Sequence, residues 1–202
     1  MPRVSLNTTF TRAQNDIAIL ENYISQVESL SIRYQHFVGE VVMLRLFAIY
    51  EQTTKEFALK LACNGTYRNG DFPRIHHQCK SLEDAADQMA IFGRAKPVQL
   101  KWTKARYVRE SVQHVLDVTD RFTSEIRNHG TLINEMRIVR NHVAHRTEST
   151  RREFAKVVRR QYGAAAKLTS GSYLVSTKRH AQSNIRRYIK SVRALLNVIS
   201  HG

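Results

Sequence analysis

Apolar side chains along this chain recur at three- and four-residue steps, the repeat of a helix buried on one side. No stretch sustains the two-residue alternation of a half-buried strand. Between Thr9 and Leu30 the residues on that repeat are Ile17, Leu20, Tyr23, Ile24, Val27 and Leu30. Tyr34 to Cys63 forms a second, longer helix carrying Phe37, Val41, Leu44, Phe47, Ala48 and Phe57, and Asn64-Gly65 is a suitable stop. Gly65 to Ile75, with Asn-Gly and a proline, reads as a loop. Ser81 and Asp84 form a capping-box variant for a short helix ending at Ile91, and Gly93 to Pro97 breaks the chain again.

The second half continues in the same way. Lys104 to Asn128 reads as one helix with Val108, Val112, Leu116 and Phe122 on one side, stopped by Gly130. Thr131 opens the next, which holds Leu132, Met136, Val139 and Val143. Thr150 to Glu153 has the form of a capping box for a helix running through Tyr162. Gly163 to Thr177 is expected to be loosely ordered, and a last helix from Ala181 to Ile199 buries Ile185, Ile189, Val192, Leu196 and Ile199. Its other face carries Arg186, Arg187, Lys190 and Arg193. The expected architecture is an all-α antiparallel helical bundle of about five to seven helices.

Charge narrows the choice of partner. The chain has 32 Lys+Arg against 17 Asp+Glu, a formal net charge of +15, over 202 residues. Such an excess points to a polyanion: RNA, DNA or an acidic membrane surface. Arg outnumbers Lys about two to one, which suits bidentate phosphate contacts. No apolar run is long enough to span a bilayer and the N-terminus has no signal-like apolar region, so a cytoplasmic protein without a membrane partner is expected. Cys63 and Cys79 give no disulfide framework. Together with His76 and His77 they can be sketched as a zinc site, but His-His-Gln-Cys crowds three donors into four residues, so no metal or other cofactor is expected. Asn64-Gly65-Thr66 has the form of a glycosylation sequon, which carries no meaning without secretion.

Several catalytic signatures are missing: no phosphate-cradling glycine loop, no Gly-x-Ser-x-Gly elbow, no His-Glu-x-x-His. The chemistry concentrates in NEMRIVRNHVAHRTEST, residues 134 to 149. On a helix Arg137, Asn141 and His145 follow at four-residue steps as one polar stripe, with Leu132, Met136, Val139 and Val143 towards the core. Arg140 lies about 140° round the helix from His145. These residue types suit RNA cleavage. A histidine exchanges protons near neutral pH, an arginine holds a phosphate and its transition-state charge, and an asparagine orients either. RNA brings its own nucleophile, the 2′-hydroxyl.

The string Arg140-Asn141-His142-Val143-Ala144-His145 resembles the R-x(4–6)-H motif of the HEPN family, with an apolar stretch before it and a small residue, Ala144, just before the histidine. The resemblance covers most of residues 9 to 162. It implies a single HEPN-like helical domain over 1–202, with 163–202 as a C-terminal extension. It further implies a metal-independent endoribonuclease of the toxin–antitoxin or phage-defence kind. Arg140, Asn141 and His145 would be catalytic in a cleft shared by two copies of the chain, with RNA as substrate and an antitoxin or regulatory partner. Arg137, His142 and Arg146 stand outside the strict motif as substrate-binding candidates. Glu51 could face the same cleft or simply pair with a nearby cation, and Trp102 with Tyr107 could stack bases or pack in the core. Two competing readings are a catalytically silent HEPN-type scaffold that binds RNA or nucleotides, and a helical DNA-binding protein. The second needs a recognition helix after the turn between Ser124 and Leu132, where the HEPN-like string stands instead.

Overall fold

The computed structural model describes residues 5–91 and 96–202, and the described residues form nine α-helices joined by turns and loops, with isolated bridges but no strands. In chain order they are α1 (Asn7–Val27), α2 (Ile32–Ala62), α3 (Leu82–Ile91), α4 (Ala105–Val112), α5 (Arg121–Asn128), α6 (Gly130–His145), α7 (Glu148–Tyr162), α8 (Ser170–Val175) and α9 (Asn184–His201). The all-α class is as expected, and the count exceeds the expected five to seven. Most of the chain break placed at Gly93 to Pro97 lies outside the described residues. No described helix is long and apolar enough to cross a membrane.

The chain divides into two compact units whose boundaries fall within α1, α2, α6 and α9. Unit 1 comprises Met1–Gln14, Tyr50–Ile133 and Ala194–Gly202, and unit 2 comprises Asn15–Ile49 and Asn134–Arg193.

In unit 1 the buried side chains include Leu6, Phe57, Leu61, Met89, Val108, Leu116, Phe122 and Ile126. Local hydrogen bonds fix the ends of its helices. Asn64, at φ 59°, takes the left-handed position after α2, with Gly65 N–H bonded to Lys60 O at 2.9 Å and Asn64 N–H to Leu61 O at 2.9 Å. This paired closure satisfies carbonyls that the helix leaves open. Ser81 Oγ accepts from Asp84 N–H at 3.1 Å, and the Asp84 carboxylate accepts from Lys80 N–H at 2.7 Å, as the capping pattern anticipated. The expected helix from Lys104 to Asn128 is instead two. Asp117 turns the chain by accepting from Thr119 N–H at 2.6 Å, and Asp120 caps α5 by accepting from Phe122 N–H at 3.0 Å. These short acidic side chains offer the backbone a turn that outcompetes helix continuation. Asp120 is buried and also accepts from Tyr67 Oη at 2.6 Å and Arg74 N–H at 2.9 Å.

In unit 2 the buried set includes Ile17, Met43, Leu46, Phe47, Val139, Val157, Leu174, Ile185, Ile189 and Val192. The helix after the motif starts earlier than expected: Thr147, not Thr150, is its N-cap, and its hydroxyl accepts from Thr150 N–H at 3.3 Å. The segment expected to be loose contains α8, with Ser170, Gly171, Tyr173 and Leu174 buried. Tyr173 and Tyr188 share a 2.8 Å hydrogen bond, and Tyr188 donates to Glu135 at 2.8 Å, which ties α8, α9 and α6 together. The basic face of α9 is partly neutralised by α1 and the turn after it: Arg193 pairs with Glu21 at 2.9 Å and Arg186 with Glu28 at 2.7 Å.

Candidate functional site

The three motif residues, Arg140, Asn141 and His145, and the three substrate-binding candidates, Arg137, His142 and Arg146, all lie in unit 2, on α6 or just after it. Val139 and Val143 are buried on its core side, which sets the orientation of the rest. Arg140 is half-buried, with its guanidinium carbon 5.5 Å from the centre of the Phe47 ring and Nη1 donating to Asn141 Oδ1 at 3.1 Å. Arg140 and Asn141 are thus brought together as a pair. Arg137 is held by Asn134, whose Oδ1 accepts from Nε at 3.3 Å and Nη2 at 3.1 Å. His145 is the last residue of α6, and its exposed side chain has no hydrogen-bond or ion-pair partner among the described residues. Arg146 follows at φ 47°, the left-handed closing position glycine usually fills, with its N–H bonded to His142 O at 3.1 Å. Its guanidinium donates to Glu40 Oε2 at 2.7 Å.

His142 has a different environment from His145. Its ring stacks on Phe154 at a centroid distance of 4.7 Å, and its Nδ1 lies 3.5 Å from Thr150 Oγ1. Burial pushes this imidazole below its ordinary value; the nearby Arg146 and Arg151 charges push the same way, against the opposing pull of Glu40. His142 lines a cleft of about 800 Å³ with His36, Glu40, Arg146, Arg151 and Lys167. Neither Arg140 nor His145 lines it. The one carboxylate in this lining, Glu40, bonds Arg146 and also accepts from the Ser170 hydroxyl. Gly171 makes the wall possible: a Cβ there would sit 2.6 Å from His36 Cβ, so only glycine lets α8 approach α2 this closely.

Sequence reasoning missed His36, Phe37, Glu40 and Ser170 as cleft residues. A signal was present for Phe37. Tyr34, Phe37 and Val41 form one stripe of α2, and Met43, Leu46, Phe47 and Tyr50 form another. Only the second is buried; Phe37 is 64% exposed. A helix apolar on two sides announces a surface in use on one of them.

The remaining candidates lie in unit 1. Trp102 is buried, in keeping with its core reading, and Tyr107 lies 5.0 Å from Lys104 Nζ. Cys63 and Cys79 are free thiols. Among the described residues no three His, Cys, Asp or Glu side chains gather as they would around a metal ion.

No family model matches this sequence, and no curated protein or solved structure matches it either.

Proposed function

We propose that this chain is a metal-independent endoribonuclease of HEPN type, acting as a two-fold homodimer of the toxin or phage-defence kind. The observation that carries the reading is the arrangement on α6. Arg140 is fixed by Asn141 and the Phe47 ring, while the His145 side chain stands exposed, without a partner among the described residues, at the end of the same helix. A fixed guanidinium suits a phosphate, and an exposed imidazole suits proton transfer. In the reaction the RNA 2′-oxygen bonds to phosphorus and the bond from phosphorus to the 5′-oxygen breaks. The 2′-proton passes to one imidazole, and the departing 5′-oxygen takes a proton from a second. Two copies of His145 across a dimer axis supply both, and the second copy of α6 closes the angular gap between Arg140 and His145.

The test is incubation of the purified protein with labelled RNA in excess chelator, beside a His145→Ala control. Cleavage leaving a 2′,3′-cyclic phosphate, with the same sequence as single-stranded DNA bound but uncut, is the expected result. A variant lacking His145 that cuts like the unaltered protein, or cleavage of plain DNA, refutes it.

A further inference from the structure

The cleft on unit 2 is chemically two-sided. Phe37 presents an exposed ring at its edge, and Phe154, Ala155, Val158 and Leu168 supply more apolar surface. Arg146, Arg151 and Lys167 add positive charge beside Glu40, His36 and His142. Arg146 answers Glu40, but Lys167 has no acidic partner among the described residues. Arg151 has only Glu148, a residue of its own helix that is 55% exposed. The charge around the cleft reinforces this: residues 134–193 hold 15 Lys+Arg against 3 Asp+Glu. An occupant complementary to this surface is a flat ring attached to negative charge.

We propose that the cleft holds one nucleotide of a single-stranded RNA, its base stacked on Phe37 and its phosphates met by Arg151 and Lys167. This rests on the ribonuclease reading and extends it by saying where the strand runs beyond the cleavage point. His142, in the cleft wall, precedes His145 by three residues, an axial rise of about 4.5 Å along α6. Arg146, which follows His145 directly, also lines the cleft, so on the ribonuclease reading a nucleotide next to the cleavage point lies within reach of it. Stacking accepts any base, so the subsite adds affinity more than sequence choice. A protein partner is the other possible occupant, because Phe37 also borders an apolar groove with Ile19, Tyr23 and Val41. Lys167, without an acidic partner among the described residues, and Arg151, held only by the exposed Glu148, favour the nucleic acid.

The probe is a fluorescein-labelled 2′-O-methyl RNA oligomer, whose blocked 2′-oxygen prevents cleavage, followed by anisotropy. Phe37→Ala is expected to weaken binding by about 5- to 150-fold, the range for losing one stacked base. Phe37→Trp is expected to retain affinity, and its added indole emission to be quenched by the oligomer, against the constant background of buried Trp102. Replacing Arg151 and Lys167 together by Gln should reduce the slope of log affinity against log salt by about 1.4, two single-strand phosphate contacts. Lys101→Gln with Lys104→Gln, in unit 1, is expected to leave the effect of Phe37→Ala unchanged. Binding by Phe37→Ala within twofold of the unaltered protein overturns the proposal. So does a change in its sedimentation with RNA affinity intact, which would assign the surface to a protein contact. The probe is never cut, so the two readings fail separately. Loss of binding in Phe37→Ala stands even if His145→Ala cleaves normally, and an inactive His145→Ala beside normal binding by Phe37→Ala sinks the cleft alone.

Discussion

The two units use their charged side chains differently. Unit 1 holds 15 Lys+Arg against 10 Asp+Glu, and unit 2 holds 17 against 7. In unit 1 acidic groups fix the backbone: Asp120 gathers Tyr67, Arg74 and Phe122, Asp117 shapes a turn, and Asp84 caps α3. In unit 2 three acids, Glu21, Glu28 and Glu135, tie arginines of α7 and α9, and Arg146, Arg151 and Lys167 line a cleft bordered by the exposed Phe37 ring. A chain-wide net charge hides this division. Charges matched by local geometry contribute structure, whereas unmatched ones next to a cleft are available for a ligand.

Removing the proposed chemistry should have the largest effect. His145→Ala and Arg140→Ala are each expected to lower RNA cleavage by about 10²- to 10⁴-fold, the usual scale for a proton-transfer or charge-stabilising group. For His145→Ala the melting temperature should hold, since His145 is exposed and has no partner among the described residues. A comparable loss of cleavage on replacing His76, an exposed histidine of unit 1, would erase the distinction between the units.

Next comes a stability effect confined to unit 1. Asp120→Ala removes a helix cap and strands the Tyr67 hydroxyl and Arg74 N–H, and should destabilise the protein by about 2–4 kcal/mol in urea unfolding. Cleavage per folded molecule, measured well below the melting temperature, should be unchanged. A stability change under about 0.5 kcal/mol would mean that water satisfies those groups.

Gly171→Ala probes the cleft wall of unit 2. The added methyl would meet His36 Cβ at 2.6 Å, and overpacking of this kind costs about 1–3 kcal/mol. Together with that loss, weaker binding of the uncleavable oligomer is expected. Wild-type values for both would show that α8 has room to move.

The smallest effect concerns pH. The His142 imidazole is pushed below its ordinary value of 6.5, so the unfolded chain binds that proton more readily than the folded one. Stability from neutral His142 is therefore fully present above about pH 6.5 and is lost as pH falls towards the lower folded-state value. Glu40, Arg146, Arg151, Lys167 and His36 all line the same cleft, so the comparison must isolate one group. His142→Gln should flatten the decline in stability between about pH 7 and 5 relative to the unaltered chain. Equal slopes, or a His142 proton resonance titrating above 6.5, would contradict the packing described here.

Much of the helical layout was legible in the sequence wherever a few neighbouring residues decide it. The stop at Asn64-Gly65 and the Ser81–Asp84 cap are examples, because their hydrogen bonds close within five residues. The break between α4 and α5 was not legible. Val112, Leu116 and Phe122 keep apolar positions across it, and the turn is fixed partly by Tyr67, 53 residues from Asp120. The candidate site divides in the same way. The motif string is visible in the sequence, but whether His142 or His145 enters a cleft is not, since both follow the same helical repeat.

The sequence by itself determined an all-helical chain, a strong positive charge and a short segment where arginine, asparagine and histidine coincide. These depend on composition and on contacts within a turn or two. Only the tertiary structure decided which apolar stripe of α2 is buried, which histidine is stacked against a phenylalanine and which cations lack a partner. Periodicity gives the angle of a side chain around its own helix but not what faces that angle. Here that is settled by residues far along the chain: Ser170 donates to Glu40 across 130 positions, and Arg146 reaches the same carboxylate across 106.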